Sequence, residues 1–263
     1  MKIEFWNALA PHHHLIENSY LDRRATKGIL KRIQSPALVV GAGQGLVVAE
    51  LQQAGLKCDG VDLSTEMIRY AKLRRGLDLI EADARALPFG TFSYKTIIYA
   101  TGVIDFMSKE DDIRAVLKEG NRILDSSGII LIAFCRLSPA TEKFMVRLDL
   151  LNNSTLANRE ILQLHRLSPL KALRWIADRT TVSCGRAALM AMTSWVGSSW
   201  QEKRNALRLQ KVFANASFAD SLVRSAPEQL PFRNEAEIRN LFARLAIPIK
   251  RFETFCNCSV VEI

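Results

Sequence analysis

Three glycines at alternating positions, Gly41, Gly43 and Gly45, follow a short apolar run and precede a helix-like segment. Glycine lets the backbone turn tightly and approach a ligand closely, and amide groups at the start of the next helix can bind a carboxylate or a phosphate. A dinucleotide-binding turn would have a third small residue at position 46, where this chain has Leu46. The spacing therefore favours a ligand without a pyrophosphate. Ala42, inside the turn, is part of the expected site. A glycine turn that binds nothing is the alternative.

Asp62 lies 17 positions after Gly45, at the end of the next apolar run. At the tip of a strand, a carboxylate in this position can accept hydrogen bonds from both hydroxyls of a ribose. A helix N-cap is the other interpretation, but Ser64 suits that role better. We expect Asp62 to bind a ribose.

A third carboxylate, Asp83, follows another strand-like segment and precedes Ala84. It could accept a hydrogen bond from the amino group of an adenine while the Ala84 amide donates to the ring. An exposed loop carboxylate is the simpler alternative. Its order after Gly45 and Asp62 favours the adenine interpretation.

Short apolar runs alternate with helical patterns around these residues. Strands are predicted at Ala37–Val40, Cys58–Val61, Leu77–Ala82, Thr96–Tyr99 and Gly128–Cys135, and two more, joined by a short turn, at Ile247–Phe252 and Cys256–Ile263. Such alternation predicts a parallel sheet covered by helices on both faces, and such sheets bind ligands at the carboxyl ends of their strands.

The segment 137–245 has a different composition, rich in Leu, Ala and Arg. About a hundred residues are too many for one connection, so we expect a helical insertion or cap, a possible substrate domain, beside a core of residues 1–136 and 246–263. Residues 136–246 contain 17 Lys and Arg against 9 Asp and Glu, which accounts for most of the net charge of +9. This charge could attract an anionic substrate.

The three motifs together resemble those of class I S-adenosylmethionine-dependent methyltransferases, in the small-molecule branch that includes ubiquinone and menaquinone biosynthesis enzymes and the type 11 core. The resemblance covers residues 1–135 and the final strands. It implies a doubly wound Rossmann-like α/β fold with seven strands, the last antiparallel, and S-adenosylmethionine as cofactor. Two positions depart from the family: Tyr94-Lys95 replaces the common Phe-Asp, and His13-His14 replaces a common Tyr-Asp.

The resemblance also implies roles for individual residues. The glycine motif would line the methionine moiety, Leu63 or Met67 the adenine face, and Tyr99 the region near the methyl group. Tyr20 and Arg24 are further candidates for the cofactor site, and Arg24 could reach the cofactor carboxylate. For catalysis the candidates are His13, His14 and Asp105, although methyl transfer needs a base only when the acceptor loses a proton.

The sequence has no apolar run of the roughly 20 residues that span a bilayer, so we expect no membrane insertion. Its five cysteines are scattered, so we expect reduced thiols in a cytoplasmic protein and no metal site. The expected partner is a small methyl acceptor. Two alternatives stay open: an RNA or protein methyltransferase that docks through the basic segment, and a catalytically silent cofactor-binding module. The acceptor and the oligomeric state are not specified by the sequence.

Overall fold

The computed structural model describes residues 3–15, 23–135, 234–255 and 258–263. Its helices are α1 (Ile3–Leu9), a 3-10 helix (Ala10–Leu15), α2 (Arg23–Leu30), α3 (Leu46–Gln53), α4 (Thr65–Arg75), α5 (Glu110–Ile123) and α6 (Glu235–Leu245). Its strands are β1 (Ala37–Val40), β2 (Cys58–Asp62), β3 (Ile80–Glu81), β4 (Tyr94–Tyr99), β5 (Leu124–Cys135), β6 (Arg251–Thr254) and β7 (Cys258–Glu262).

The strands form one sheet of seven in the order β3-β2-β1-β4-β5-β7-β6. Strands β1 to β5 pair in parallel, whereas β7 is antiparallel to both β5 and β6. Strands β1 to β3 extend from the centre of the sheet in one direction, and the strands from β4 onward extend in the other, so the chain order reverses between β1 and β4. Open α/β sheets bind ligands beside the carboxyl ends of the strands at such a switch point. The predicted seven-stranded Rossmann-like fold with an antiparallel last strand is confirmed.

The central strands are buried on both faces because successive side chains point to opposite sides of a strand. Leu38 and Val40 of β1 belong to a core shared with α5 and α6. Ala37 and Val39 belong to a second core shared with α2 and α3. The continuous apolar run that predicted β1 is therefore explained by helices on both sides of the sheet.

Of the seven strands only β1 has its predicted bounds, and β3, β5 and β6 differ most from theirs. β3 has only two residues, because it pairs only with the end of β2 at the edge of the sheet. β5 begins at Leu124, immediately after α5, and its register against β4 shifts between Tyr94 and Thr96. At Gly128 a Cβ atom would lie 2.8 Å from the carbonyl oxygen of Lys95, so glycine permits this close approach.

Helix α6 falls within the segment 137–245 that the sequence assigns to the insertion, yet it packs on the sheet. Asn234 caps it in a reciprocal arrangement with Glu237, and Ile238 and Phe242 are fully buried in the core shared with α5. The rest of the predicted insertion lies outside the described residues, so the domain division stays a prediction.

The chain divides into two compact units. The first contains Leu9–Arg136 and Pro231–Ile263; the second contains residues 2–8 and 137–230, of which the structure describes residues 3–8. In that described part, the rings of Phe5 and Trp6 pack edge to face with their centroids 5.1 Å apart. None of the described helices is long and apolar enough to cross a membrane.

Candidate cofactor site

The glycine turn joins β1 to α3 at the carboxyl edge of the sheet. Gly41, Gly43 and Gly45 all have positive φ angles, of 73°, 57° and 79°. At Gly41 a Cβ atom would lie 2.2 Å from the Val103 side chain, so the turn requires glycine there for space as well as for conformation. Gly45 occupies the N-cap of α3 and brings no capping side chain. The first amide groups of α3 can therefore bind an anionic group.

Asp62, at the end of β2, is hydrogen-bonded to this turn. One carboxylate oxygen accepts from the Gly43 amide at 2.7 Å, and the other accepts from the Ser64 amide at 2.8 Å. Burial raises the pKa of Asp62, while backbone amides, including those of Ser64 and Gly43, oppose the rise. A carboxylate has about four acceptor positions, so Asp62 can accept further donors such as ribose hydroxyls.

Asp83 lies beyond β3 in a tight turn with Ala86, whose amide donates to the Asp83 carbonyl. Its carboxylate accepts from the amide and the guanidinium of Arg85, which also bonds to Asp112. The Arg85 hydrogen bond is the main reason that the pKa of Asp83 lies below its usual value. The carboxylate is therefore kept ionised, which makes it a stronger acceptor for an amino group. Ala84 beside it is half-buried against the core.

Leu63 and Met67 differ in exposure. Met67 is 1% exposed, and its amide donates to the Ser64 hydroxyl, which caps α4 as predicted. Leu63 is only half-buried. Of the two candidates for the adenine face, Leu63 therefore has the accessible side chain.

Residues Pro11–His14 of the 3-10 helix, which we call the strap, lie beside the glycine turn. The Gln44 side-chain amide donates to the Ala10 carbonyl, and a Cβ atom at Gly43 would lie 3.3 Å from Cε1 of His13. Burial first, then the charge of Arg75 and the neighbouring His14, lower the pKa of His13 to about 4. The structure thus brings one catalytic candidate, His13, against the turn.

Tyr99 and Asp105 are buried in the fold instead of facing an open site. Tyr99 is 0% exposed, and its hydroxyl donates to the Val116 carbonyl of α5 at 2.9 Å. Asp105 is 4% exposed; its two oxygens accept from the amides of Gly102 at 2.7 Å and Cys135 at 3.0 Å. Burial raises the pKa of Asp105. The geometry gives Asp105 a positioning role, holding the loop after β4 to the end of β5.

Two candidates for the cofactor site cannot be placed: Tyr20 lies outside the described residues, and the side chain of Arg24 is not described. Sequence reasoning missed three residues that organise the site, Gln44, Arg75 and Arg85. Only Arg85 had a local signal, because a side chain two positions after Asp83 in a turn can reach back to it. Within the described residues, no group of three or more His, Cys, Asp or Glu side chains could hold a metal ion.

The sheet order, the antiparallel β7 and the glycine turn bonded to Asp62 agree with the Rossmann-like fold expected of class I methyltransferases. In agreement, residues 38–132 match the family model described as a methyltransferase domain.

Other proteins resemble larger parts of the chain. An uncharacterised protein of Methanocaldococcus jannaschii is 27% identical over 137 residues, which are 51% of this chain and 51% of that protein, so the chain spans about half the length of this relative. The crystal structure of a Pyrococcus horikoshii protein, 16% identical, matches with a TM-score of 0.50 over 91% of this chain and 87% of that one. An Aquifex aeolicus S-adenosylmethionine-dependent methyltransferase, 12% identical, matches with a TM-score of 0.47 over 90% and 87%. The Pyrococcus likeness shows a shared fold.

Proposed function

We propose that this chain binds S-adenosylmethionine at the carboxyl edge of its sheet and transfers the methyl group to a small-molecule acceptor. The observation that carries the proposal is the hydrogen bond from the Gly43 amide to the Asp62 carboxylate. It joins the anion-binding turn to the expected ribose acceptor and so brings two separate sequence motifs into one site.

Each part of the cofactor has a matching group on the chain. The turn Gly41–Gly45 and the first amides of α3 suit the carboxylate of the methionine part. Asp62 suits the ribose hydroxyls, and Leu63 suits one face of the adenine. Asp83, kept ionised by Arg85, suits the adenine amino group while the Ala84 amide donates to the ring.

Bound S-adenosylmethionine supplies a methyl group on a positively charged sulfur. The turn, Asp62 and Asp83 would hold the cofactor so that an acceptor atom could bond to the methyl carbon as the carbon–sulfur bond breaks, with the electron pair of that bond left on sulfur. Much of the acceleration in such a displacement comes from alignment, so rigid positioning by Asp105 and the turn suffices when the acceptor carries no proton. His14 is our candidate for accepting a proton when it does.

We further propose that the acceptor is an anionic or apolar-aromatic small molecule, as in the quinone-biosynthesis branch, and that the enzyme acts in the cytoplasm. The excess of cations in residues 136–246, 17 against 9 acidic residues, supports an anionic acceptor. Buried cysteines that are not joined in disulfides, Cys58, Cys135 and Cys258, suit a reducing compartment.

The same basic segment supports a second candidate, an RNA or protein acceptor that docks through residues 136–246. RNA binding through Lys and Arg contacts would weaken steeply as salt concentration rises. A small-molecule acceptor predicts a much weaker dependence on salt.

The test has two stages. First, calorimetry measures binding of S-adenosylhomocysteine and S-adenosylmethionine to the full chain. Second, methyl-labelled S-adenosylmethionine is incubated with the chain and with separate metabolite, RNA and protein fractions. We expect micromolar binding and label in the metabolite fraction. Label in RNA or protein would support the second candidate, and absence of binding to either compound would overturn both. Binding without label in any fraction would indicate a silent module.

A further inference from the structure

We propose that His13 is a cofactor-binding residue, whose imidazole accepts a hydrogen bond from the α-ammonium group of the cofactor's methionine part. This inference rests on the proposed function, because it assumes that the glycine turn binds that part. It adds a side chain from the strap to a site otherwise formed by the turn and by strand ends.

The strap is fixed to the turn by several contacts. The Gln44 side chain bonds to the Ala10 carbonyl, just before the strap. From α4, a guanidinium nitrogen (Nη2) of Arg74 donates to the Pro11 carbonyl at 3.3 Å, and Nη1 of Arg75 donates to the Gln44 carbonyl at 3.1 Å. Helix α4 therefore holds both the strap and the turn, so their relative position is set by the fold.

Within this arrangement, His13 and Asp62 lie against the same glycine, Gly43. The Gly43 amide donates to Asp62, whereas a Cβ atom on Gly43 would lie 3.3 Å from Cε1 of His13 and 3.8 Å from its Nε2. The imidazole therefore lies against the turn residue that is bonded to the expected ribose acceptor. In the cofactor, the methionine part extends from the ribose.

The surroundings keep this imidazole neutral. The ionisable groups that act on it include the Arg75 guanidinium from α4 and His14 from the same 3-10 helix, and the uncharged Gly43 of the turn lies against it. Burial together with the positive charge of Arg75 lowers the pKa of His13 to about 4. A neutral imidazole has one nitrogen that accepts a hydrogen bond, whereas a protonated one would repel both the ammonium group and the sulfonium.

A set of three ligands separates this role from a structural one. S-adenosylmethionine and S-adenosylhomocysteine contain the amino-acid part, but 5′-methylthioadenosine lacks it. Calorimetry on the full chain would compare wild type with His13→Lys and His13→Asn, and with His12→Lys as the matched control in the same strap. Circular dichroism would confirm that each variant is folded.

We expect His13→Lys to weaken binding of the two amino-acid-containing ligands by at least about tenfold, because it places a fixed positive charge beside their ammonium group. S-adenosylmethionine should lose more, since it also carries the sulfonium. His13→Asn, which keeps an acceptor, should lose less than His13→Lys. Binding of 5′-methylthioadenosine should change by less than about twofold in all variants, and His12→Lys should resemble wild type for all three ligands.

Equal weakening of all three ligands in His13→Lys would overturn the inference, because it would indicate a structural role. Unchanged binding of all three in that variant would overturn it as well. In both cases the proposed function stands, since wild-type binding is measured in the same experiment. If wild type binds none of the ligands, the proposed function itself fails.

Discussion

Replacing Asp62 by Asn changes one atom of the site and removes its negative charge. In the wild type the two carboxylate oxygens accept from the amides of Gly43 at 2.7 Å and Ser64 at 2.8 Å. The new NH₂ group cannot accept, so one of these amides loses its partner, at a cost to folding of about 1–3 kcal/mol. A ribose hydroxyl loses a hydrogen bond to a charged group, worth about 1.5–3 kcal/mol. Since each 1.4 kcal/mol is about tenfold in affinity, binding should weaken by roughly 10- to 100-fold.

Calorimetry with S-adenosylhomocysteine measures the affinity, and urea unfolding measures the stability. Asp78→Asn is the control, because Asp78 is an exposed carboxylate paired with Lys72 on the surface and its loss should leave the affinity unchanged. If Asp62→Asn binds S-adenosylhomocysteine within about twofold of wild type, the ribose role is refuted. A change in stability alone would leave Asp62 as a structural support of the turn.

Three further substitutions test the frame of the site. Gly41→Ala should lose most S-adenosylhomocysteine binding, because its Cβ would lie 2.2 Å from Val103 Cγ2 at a φ of 73°; the double variant with Val103→Ala should recover only part of it in the same titration. Asp105→Asn should flatten the pH dependence of stability measured by thermal melts. Burial raises the folded-state pKa of Asp105 above its unfolded value, so wild-type folding takes up a proton and stability falls as pH rises from about 4 through the raised pKa; an unchanged profile would contradict this. Phe242→Ala should lower the free energy of unfolding in urea by about 3–5 kcal/mol, because this side chain is fully buried and packs edge to face on a β5 ring. The exposed Asn240→Ala should have little effect, and a similarly small effect of Phe242→Ala would mean that α6 does not belong to the core.

The sequence predicted those features that depend on neighbours along the chain. The glycine turn after β1, the Ser64 cap and the alternation of strands and helices each have a local pattern, and all are present. The position of Asp62 beside the turn also followed, because the carboxyl ends of parallel strands meet at one edge of the sheet.

Contacts between distant segments had no such signal. Nothing in the strap sequence indicates that His13 lies against Gly43, 30 positions later. Tyr99 is a second case: its place at the end of β4 suggested a ligand contact, and no local pattern indicates that its hydroxyl donates to the Val116 carbonyl of α5. Successive side chains of a strand point to opposite faces of the sheet, so a one-residue difference in register moves a side chain to the other face.

The two departures from the family pattern, Tyr94-Lys95 and His13-His14, lie at different distances from the glycine turn. Tyr94 begins β4, and its hydroxyl donates to Asp59 near the start of β2 at 2.9 Å. The glycine turn lies at the opposite, carboxyl edge of the sheet. From Tyr94 to the other end of β4 is five steps of roughly 3.3 Å, or about 17 Å. Tyr94-Lys95 therefore gives no reason to expect a silent site, whereas His13-His14 lies beside the turn. We therefore expect any difference in cofactor or acceptor chemistry to arise from the strap, and the His13 variants test this expectation.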